Sequence, residues 1–509
     1  MQHESSIEIG ALSNKTKVIP LLLGPLVALA LFFLLPETYI NTKGEVAQFS
    51  VAGRACSAIT IWMAIWWFTE AIPIAVTALL PIVLFPMFNI ASSAATLKHY
   101  ASSTIFLFLG GFLLAGSIAR WGLDRRIAML TIRIVGTKPQ QMILGIFIAT
   151  AFLSAWVSNT ATAAMMLPIA IAIMSVVRTT RSNAPVDKAE HNFGVAMLLA
   201  VAYGASLGGV VTLIGTPPNG IFARFVEQTY GQTVNFVDWM LLAFPIIAAM
   251  MAATYFMFVK WLFREQISEI PGGREWIRKE LENLGPLTRG EKIVLAVFVC
   301  TALLWVFGPQ LRALEIGGIK PFKPLSDAII AMGAGILLFI IPVDIKKGQH
   351  ALDWKTAQDA VSWDVLLLFG GGLSLSAAIQ STGTSSVIGA QAIALAGLPE
   401  WGVITGVTTL SVFASEFTSN TALAATLMPL VAAMAESLNV SPEGVLVGAT
   451  LGASCAFMMP VGTPPNAMVF GTGRIKIAEM IRAGFWLNII AIVIIVVGVM
   501  LLSGNILPT

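Results

Sequence analysis

The stretch Ser154-Ala-Trp-Val-Ser158-Asn159-Thr160-Ala161 recurs 261 residues later as Ser415-Glu-Phe-Thr-Ser419-Asn420-Thr421-Ala422. Three further pairs of segments match along the chain: Gly110-Gly111 with Gly370-Gly371, Gly204-Ala-Ser-Leu-Gly208 with Gly448-Ala-Thr-Leu-Gly452, and Gly215-Thr-Pro-Pro-Asn219 with Gly462-Thr-Pro-Pro-Asn466. All four matches keep the same order in both halves, which indicates an internal repeat.

The composition around the repeat is typical of a membrane protein. Hydrophobic residues make up 57% of the 509 residues and charged residues only 11%, whereas a soluble domain carries about 25% charge. The apolar runs are continuous rather than alternating, which disfavours a β-barrel and predicts an all-α polytopic membrane protein. This composition excludes a soluble enzyme with one anchor and a disordered protein, and the net charge of +3 excludes a nucleic-acid partner.

The apolar runs predict about eleven transmembrane helices and two re-entrant hairpins. They lie near 18–35, 53–69, 71–89, 104–120, 141–177, 193–223, 237–263, 292–309, 325–343, 364–380, 400–435, 444–473 and 483–503. The runs 141–177 and 400–435 are each too long for one span and short for two, so they predict hairpins that enter and leave on one side. The first run is expected to be a retained span, since no signal-peptide cleavage pattern follows it.

The basic residues of the loops predict the orientation. A cytoplasmic N-terminus places four basic-rich segments in the cytoplasm: Arg178 to Lys188, Lys260 to Lys292, Lys346 with Lys347, and Arg474 to Arg482. One loop disagrees with this assignment, because it would carry basic residues outside: Arg312, Lys320 and Lys323.

In this topology the first hairpin opens inward and the second opens outward, so the repeat is inverted. Inverted repeats with broken helices are typical of secondary transporters whose site lies at the bilayer midplane. A duplicated ion channel or membrane scaffold is the alternative from another class of protein. The sequence contains no G-x-S-x-G, H-E-x-x-H or Walker motif, so it predicts neither an enzyme nor an ATP-driven pump.

Gly-Thr-Pro-Pro-Asn falls inside an apolar run in both halves, at 215–219 and 462–466. Proline blocks the helical ladder, so each span is expected to unwind there and to leave backbone carbonyls without helical partners. Each Ser-Asn-Thr triplet is expected at the turn of a hairpin, where the N–H groups of the next helix point at the site. The alternative is that the triplet only caps that helix, which these residue types do well.

The segments that carry these motifs contain almost no ionisable residues. Residues 139–177, 193–223, 401–435 and 444–473 have no Lys, Arg, Asp or His, and one acid, Glu416. Hydroxyls, amides and carbonyls are ligands for hard cations, so they predict two symmetry-related Na⁺ sites. An anion would be held by helix N-termini and by Na⁺, and its affinity should therefore depend on sodium. Glu416, whose repeat partner is Ala155, has either a proton-linked role or an outward-facing role as a salt-bridge or hydrogen-bond partner.

Two features resemble the divalent anion:sodium symporter (DASS) family, in its sodium/dicarboxylate cotransporter branch: the paired Ser-Asn-Thr triplets, and Ser454-Cys-Ala-Phe-Met-Met-Pro460-Val-Gly-Thr-Pro-Pro-Asn466-Ala-Met-Val469. The resemblance covers nearly the whole chain. It implies a homodimer in the cytoplasmic membrane, whose protomers have a scaffold domain and a transport domain that moves like an elevator. The implied boundaries are 15–138 and 291–397 for the scaffold, 139–265 and 398–505 for the transport domain, and 266–290 for a cytoplasmic linker helix.

The resemblance also implies the residues that bind ions and substrate. One sodium site would use Ser154, Ser158, Asn159 and Gly215, and the other Ser415, Thr418, Asn420 and Gly462. The substrate carboxylates would meet the following residues: Asn159, Thr160, Thr216, Pro217, Asn420, Thr421, Thr463 and Pro464. Members of the family carry C4-dicarboxylates, citrate or sulfate, and some exchange anions without sodium. Ser-Asn-Thr in both halves is similar to the carboxylate carriers, which favours succinate, malate or fumarate; Glu416 has no place in the family's pattern.

Overall fold

The computed structural model describes residues 2–41, 45–180, 187–264, 267, 270, 272–392 and 397–502. Helices dominate this part of the chain, in the following order: α1 (Gln2–Leu34), α2 (Val51–Thr69), α3 (Ile74–Thr77), α4 (Leu80–Met87), α5 (Ser93–Leu97), α6 (Ser103–Arg120), α7 (Leu123–Val135), α8 (Pro139–Ser154), α9 (Asn159–Thr180), α10 (Lys188–Val210), α11 (Pro217–Tyr230), α12 (Phe236–Phe256), α13 (Gly273–Leu284), α14 (Arg289–Val306), α15 (Gly308–Ala313), α16 (Asp327–Ile340), α17 (Trp354–Ala360), α18 (Trp363–Ser381), α19 (Thr384–Ala392), α20 (Glu400–Ser415), α21 (Asn420–Leu438), α22 (Pro442–Ala453), α23 (Pro464–Gly471) and α24 (Ile477–Leu502). Two short antiparallel ladders pair β1 (Thr38–Ile40) with β2 (Val46–Gln48), and β3 (Pro342–Asp344) with β4 (Gln349–His350). The chain is an all-α polytopic membrane protein.

Within the described residues, eight helices are long and apolar enough to cross a membrane, and four shorter apolar helices accompany them. The predicted span at 71–89 is divided into α3 and α4. Pro73 precedes the first turn of α3, and Pro81 lies in the first turn of α4, where its missing N–H costs nothing. The basic segment from Arg178 to Lys188 and the start of the predicted linker lie partly outside the described residues.

Both Gly-Thr-Pro-Pro-Asn segments interrupt a helix, as predicted. α10 ends at Val210 and α11 begins at Pro217, while α22 ends at Ala453 and α23 begins at Pro464. Each new helix starts at the first proline, because proline is favoured in the first turn of a helix, where its missing N–H would have no helical partner.

Both predicted hairpins are pairs of helices joined by a short turn. α8 and α9 form the first pair, and α20 and α21 form the second. The second helix of each pair begins at the asparagine of the triplet, Asn159 or Asn420. The opposite orientation of the two hairpins in the membrane stays a prediction.

The chain divides into two compact units. Unit 1 consists of 1–105, 221–233 and 363–453, and unit 2 consists of 106–220, 234–362 and 454–509. Unit 1 contains the second hairpin with α18 and α22, and unit 2 contains the first hairpin with α10, both Gly-Thr-Pro-Pro-Asn segments and α24. The division into scaffold and transport domains stays a prediction.

Each hairpin packs against the glycine-rich helix that follows it in its own half. In unit 2, a methyl group on Gly208 of α10 would overlap the backbone of Ala151 in α8, whose carbonyl carbon would be 2.6 Å away. In unit 1, a methyl group on Gly452 of α22 would be 2.9 Å from Ser411 Cβ and 3.0 Å from Thr408 O in α20. Small residues allow helix backbones in a membrane to approach this closely. The repeated glycines therefore have the same packing role in both halves.

A buried ion pair connects α13, the helix of the predicted linker, to the helices around it. Arg126 of α7 places Nε 2.6 Å from Glu291 Oε1, and its other nitrogens donate to the carbonyls of Leu284 and Gly285 at the end of α13. Burial raises the pKa of Glu291, but hydrogen bonds from Arg126 and Thr288 outweigh burial and hold the pKa below its usual range. The pair joins α7, α13 and α14.

Replacing Glu291 with glutamine is expected to lower the melting temperature of the purified protein, because the buried Arg126 charge loses its partner. Breaking a buried pair costs about 3–5 kcal/mol. Since the folded pKa of Glu291 lies below its unfolded value, the pair stabilises the fold fully at pH values above the ordinary pKa of a glutamate side chain. This contribution disappears as the pH falls through the folded value. Melting curves at neutral and acid pH should show the difference between wild type and E291Q shrinking in acid.

The control variant is R278Q. Arg278 forms an exposed pair with Glu275 and Glu282 on α13, and exposed pairs contribute little to stability. R278Q should therefore have the melting temperature of the wild type. An E291Q protein that also has the wild-type melting temperature at neutral pH would refute the role given to the buried pair.

Candidate functional site

The serine of each Ser-Asn-Thr triplet caps the helix that follows it. Ser158 Oγ accepts a hydrogen bond from Ala161 N at 3.3 Å, and Ser419 Oγ accepts one from Ala422 N at 3.5 Å. Capping therefore accounts for the two serines. It does not involve the side chains of the asparagine and the threonine in either triplet.

The residues predicted for one sodium site lie together in unit 2. Ser154 Oγ is 2.8 Å from Asn159 Oδ1 and 2.7 Å from the carbonyl oxygen of Ala205. A methyl group on Gly215 would be 2.9 Å from Ser154 O, so the Gly215 backbone contacts the end of α8. Ser158 precedes Asn159 in the same turn. The structure thus brings hydroxyl, amide and carbonyl oxygens to one place, and their role as sodium ligands stays a prediction.

These oxygens fit a hard cation. The Ser154 hydroxyl has one proton to donate, to Asn159 or to Ala205, and its oxygen keeps lone pairs for a cation. Ser154 is fully buried, and no ionised side chain exists in 139–177 or 193–223. A Na⁺ ion held by neutral oxygens would keep its positive charge available to an anion.

The unwound segment between α10 and α11 is joined to the hairpin turn by Thr212. Its hydroxyl donates to the carbonyl of Ala155 in that turn and accepts a hydrogen bond from Gly215 N at 3.1 Å. Thr212 is fully buried. One hydroxyl therefore fixes the Gly215 backbone relative to the first hairpin.

Asn219, the last residue of the first Gly-Thr-Pro-Pro-Asn segment, holds the same unwound segment from its other side. Its Nδ2 donates to Thr212 O at 2.7 Å and lies 3.1 Å from Val210 O and 3.3 Å from Gly209 O. We call the oxygens of Ser154, Asn159 and Gly215 the cation cluster. Gly209 contacts this cluster, because a methyl group there would overlap Asn159 Oδ1 and lie 3.1 Å from Gly215 O. Asn219 thus positions the backbone that borders the cluster.

Asn466 repeats this arrangement in the second unwound segment. Its Nδ2 donates to Ala456 O and Met459 O, both at 3.0 Å, and its N–H donates to Thr463 Oγ1 at 3.3 Å. The two carbonyls lie ten and seven residues before the asparagine, as they do in the first segment. The sequence analysis did not include Asn219 or Asn466 among the site residues, although the repeat itself is the signal that identifies them.

The predicted substrate residues of unit 2 differ in exposure. Thr216 and Thr463 are 3% and 4% exposed, whereas Thr160 and Pro464 are exposed and Pro217 is half-buried. α23, which begins at Pro464, packs against α9 and α10. The second Gly-Thr-Pro-Pro-Asn segment therefore leads into a helix that contacts the helix of the first triplet.

The second triplet lies in unit 1. Ser415 and Thr418 donate to backbone carbonyls near the end of α20, at 2.7 Å and 3.0 Å. Asn420 Oδ1 accepts no hydrogen bond from the part of the chain that the structure describes, and Thr421 is 9% exposed. Gly462 belongs to unit 2 and is buried.

Glu416 is 1% exposed, so the predicted outward orientation is wrong, whereas a salt-bridge or hydrogen-bond partner for its side chain stays a prediction. The residue is the C-cap of α20, where the chain folds back toward α21. The proton-linked role stays a prediction.

An aromatic stack holds the turn of the first hairpin. The Trp156 ring stacks on Phe236 at 5.9 Å between centroids and on Trp305 at 6.4 Å, and the latter two rings are 4.6 Å apart. All three pairs are close to parallel, with interplanar angles of 20°, 9° and 12°. The sequence analysis did not identify this stack, because its members lie far apart along the chain.

Arg312, one of the basic residues that disagree with the predicted orientation, is paired. Its Nη1 lies 3.2 Å from Asp327 Oδ1, and its Nη2 donates to Asn235 Oδ1 at 2.8 Å. The positive-inside rule counts Lys and Arg whether or not they are paired, so this ion pair does not remove the disagreement of the loop with the predicted orientation. The orientation stays a prediction.

Three comparisons relate the chain to known proteins. Residues 16–507 match the family model described as the sodium:sulfate symporter transmembrane region. The sodium-dependent dicarboxylate transporter SdcS of Staphylococcus saprophyticus is 37% identical over 496 residues, which cover 97% of this chain and 93% of the relative. SdcS of Staphylococcus aureus is 37% identical over 482 residues, which cover 94% of this chain and 90% of the relative. The YdaH transporter of Alcanivorax borkumensis shares the fold, with a TM-score of 0.59 and 14% identity over 96% of this chain and 98% of that one.

Proposed function

Because the chain belongs to the sodium:sulfate symporter family, that is, the divalent anion:sodium symporter family, we propose that it is a secondary transporter that couples Na⁺ entry to the uptake of C4-dicarboxylates. Succinate, malate and fumarate are the proposed substrates. Two relatives that bear the name sodium-dependent dicarboxylate transporter, at 37% identity over nearly the full length, support this choice.

The observation that carries the proposal is the neutral oxygen cluster of Ser154, Asn159 and Gly215 at a helix start. The cluster contains no positively charged side chain, so only helix N-termini would stabilise the charge of a dianion that binds alone. Na⁺ bound by the same residues supplies the missing positive charge. The free energy of anion binding is then coupled to that of sodium binding, and each ligand raises the affinity for the other by the same factor.

The repeat extends the proposal to a second Na⁺ ion held by Ser415, Thr418 and Asn420. Thr160, Thr421 and the Gly-Thr-Pro-Pro-Asn segments would then complete the dicarboxylate site. We place the protein in the cytoplasmic membrane as a homodimer with its N-terminus in the cytoplasm, and we infer an elevator movement of the transport domain.

Uptake of labelled succinate into proteoliposomes tests the proposal. An inward Na⁺ gradient should drive accumulation, whereas K⁺ or choline at equal ionic strength should not. Uptake without sodium, driven only by succinate inside the vesicles, would instead indicate an exchanger. Steady conduction that does not saturate with substrate would indicate a channel.

Competition with unlabelled anions tests the choice of substrate. Succinate, malate and fumarate should inhibit labelled uptake at concentrations where citrate and sulfate do not. If sulfate inhibits uptake and the dicarboxylates do not, the substrate is sulfate, the anion in the family's name, and not a dicarboxylate.

A further inference from the structure

The two unwound segments of unit 2 are held by donors at three matched positions. Asn219 and Asn466 each donate from Nδ2 to the carbonyls ten and seven residues before them. A third carbonyl, nine residues before each asparagine, accepts a hydrogen bond from a buried aromatic side chain. Trp239 Nε1 donates to Val210 O at 2.9 Å in the first segment. In the second, Tyr203 OH donates to Phe457 O at 2.7 Å.

These donors satisfy part of the backbone of the unwound segments. An unwound backbone inside a membrane protein leaves carbonyls without helical partners, and each must find a donor, water or a cation. The carbonyls that are bonded to asparagine and to the aromatic residue are satisfied within the protein. Their fixed positions set the path of the rest of the segment, including the Gly215 and Gly462 backbones of the predicted sodium sites.

Tyr203 differs from Trp239 because it joins the two halves of the sequence. It belongs to α10 of the first half, and its hydroxyl holds the second segment at Phe457. Two positions along α10, the carbonyl of Ala205 lies 2.7 Å from Ser154 Oγ in the cation cluster. Tyr203 and Phe457 are both fully buried, and their rings are 5.1 Å apart. One rigid helix turn therefore contacts the first cation cluster and the second unwound segment together.

We propose that Tyr203 is a positioning residue that couples Na⁺ binding by the first half to the shape of the second unwound segment. When Na⁺ fixes Ser154 and the adjoining turn of α10, the hydroxyl of Tyr203 is fixed with them. Its hydrogen bond to Phe457 O then holds the second unwound segment, which includes Gly462 of the second predicted sodium site. The coupling rests on the proposed sodium-dependent function and adds a physical cause for cooperativity between the ions.

Tyr203→Phe removes the hydroxyl and keeps the ring, so it tests the hydrogen bond without removing the packing. Net hydrogen bonds contribute about 0.5–1.5 kcal/mol, and the sodium concentration for half-maximal succinate uptake should rise about 2- to 10-fold. The Hill coefficient for sodium should fall toward one, while the maximal rate at saturating sodium and succinate should stay near the wild-type rate. Tyr255→Phe is the matched control, since its hydroxyl lies on the surface, 3.5 Å from Gln140 O.

A second variant, Asn466→Asp, tests the same segment from its other donor. A carboxylate would face the carbonyls of Ala456 and Met459 in place of an N–H donor, and the half-maximal sodium concentration should rise more than in Y203F. Melting curves of each variant show whether the protein folds, and the shift in melting temperature on adding NaCl in place of KCl measures sodium binding without transport.

Each outcome is decisive. A Y203F protein with the wild-type sodium curve overturns the proposal, and so does one with a lower maximal rate at unchanged half-saturation and Hill coefficient, since Tyr203 would then serve packing alone. Wild-type protein without sodium-dependent uptake refutes the proposed function instead. In that case the sodium-induced melting shift still tests Tyr203, and an equal shift in wild type and Y203F overturns the coupling.

Discussion

Alanine at Asn159 is expected to raise the sodium concentration for half-maximal succinate uptake by about 10- to 100-fold, because it removes an amide oxygen from the cation cluster. Interactions with charged groups contribute about 1.5–3 kcal/mol each, and every 1.4 kcal/mol is about a tenfold change in affinity. Asn159 Oδ1 lies 2.8 Å from Ser154 Oγ, so the variant also removes one of the two acceptors of the serine hydroxyl and leaves Ala205 O. Sodium-activation curves in proteoliposomes measure the effect.

The variants S154A, N159A and S154A/N159A form a double-mutant cycle. The two residues share one hydrogen bond and one proposed ion, so the loss in the double variant should be smaller than the sum of the single losses. Ser175→Ala in α9 is the control, because Ser175 is exposed, lies outside the predicted sites and donates from Oγ to Ala172 O in its own helix. If N159A keeps the wild-type sodium curve, the cluster is not a sodium site.

The second large effect is expected at Gly208. Alanine there would place its methyl group within the backbone of Ala151, and neither backbone can move without separating α10 from α8. Overpacking of this kind costs about 1–3 kcal/mol, and we expect the upper end since both neighbours are main chain. The melting temperature should fall, and uptake should be lost because Ser154 and Ala205 no longer meet.

Gly406→Ala is the matched control for this prediction. Gly406 lies in α20, and nothing is within 4 Å of a methyl group added there. Alanine is favoured over glycine in a helix by about 1 kcal/mol, so G406A should melt at or above the wild-type temperature. A G208A protein that melts and transports like G406A would show that the two helices are not in close contact.

The breaks in the helices could be predicted from the sequence because their cause is local. The two prolines of Gly-Thr-Pro-Pro-Asn stop the preceding helix and fit the first turn of the next one. Ser-Asn-Thr begins a helix because its serine caps the first turn. Because the motifs recur, each helix break or helix start that was predicted in one half was also predicted at the matching residue of the other half. The contact of Ser154 with Asn159 follows from a turn of a few residues, which is also a local matter.

The remaining features depend on which helix faces meet, and a single sequence does not specify that. Glu416 follows a buried serine in a tight turn, and its burial was missed because its repeat partner is alanine. The pairing of Arg312 with Asp327 and Asn235 joins the ends of separate helices. Tyr203 and Phe457 are 254 residues apart in the sequence, so their hydrogen bond could not be predicted from it. The matched asparagines of the repeat indicate only that the Phe457 carbonyl corresponds to the Val210 carbonyl.

The stacked rings of Trp156, Phe236 and Trp305 bear on the rate of the proposed transport cycle. All three rings belong to unit 2, but the predicted boundaries place Trp305 in the scaffold and Trp156 in the transport domain. The proposed elevator movement of the first hairpin would therefore separate these rings. Stacked aromatic pairs contribute about 0.5–1.5 kcal/mol beyond the area they bury, and this free energy adds to the barrier for leaving the present conformation. With the proposed elevator movement, the stack would slow the departure of the first hairpin and would not change the affinity of the proposed sodium site at Ser154 and Asn159.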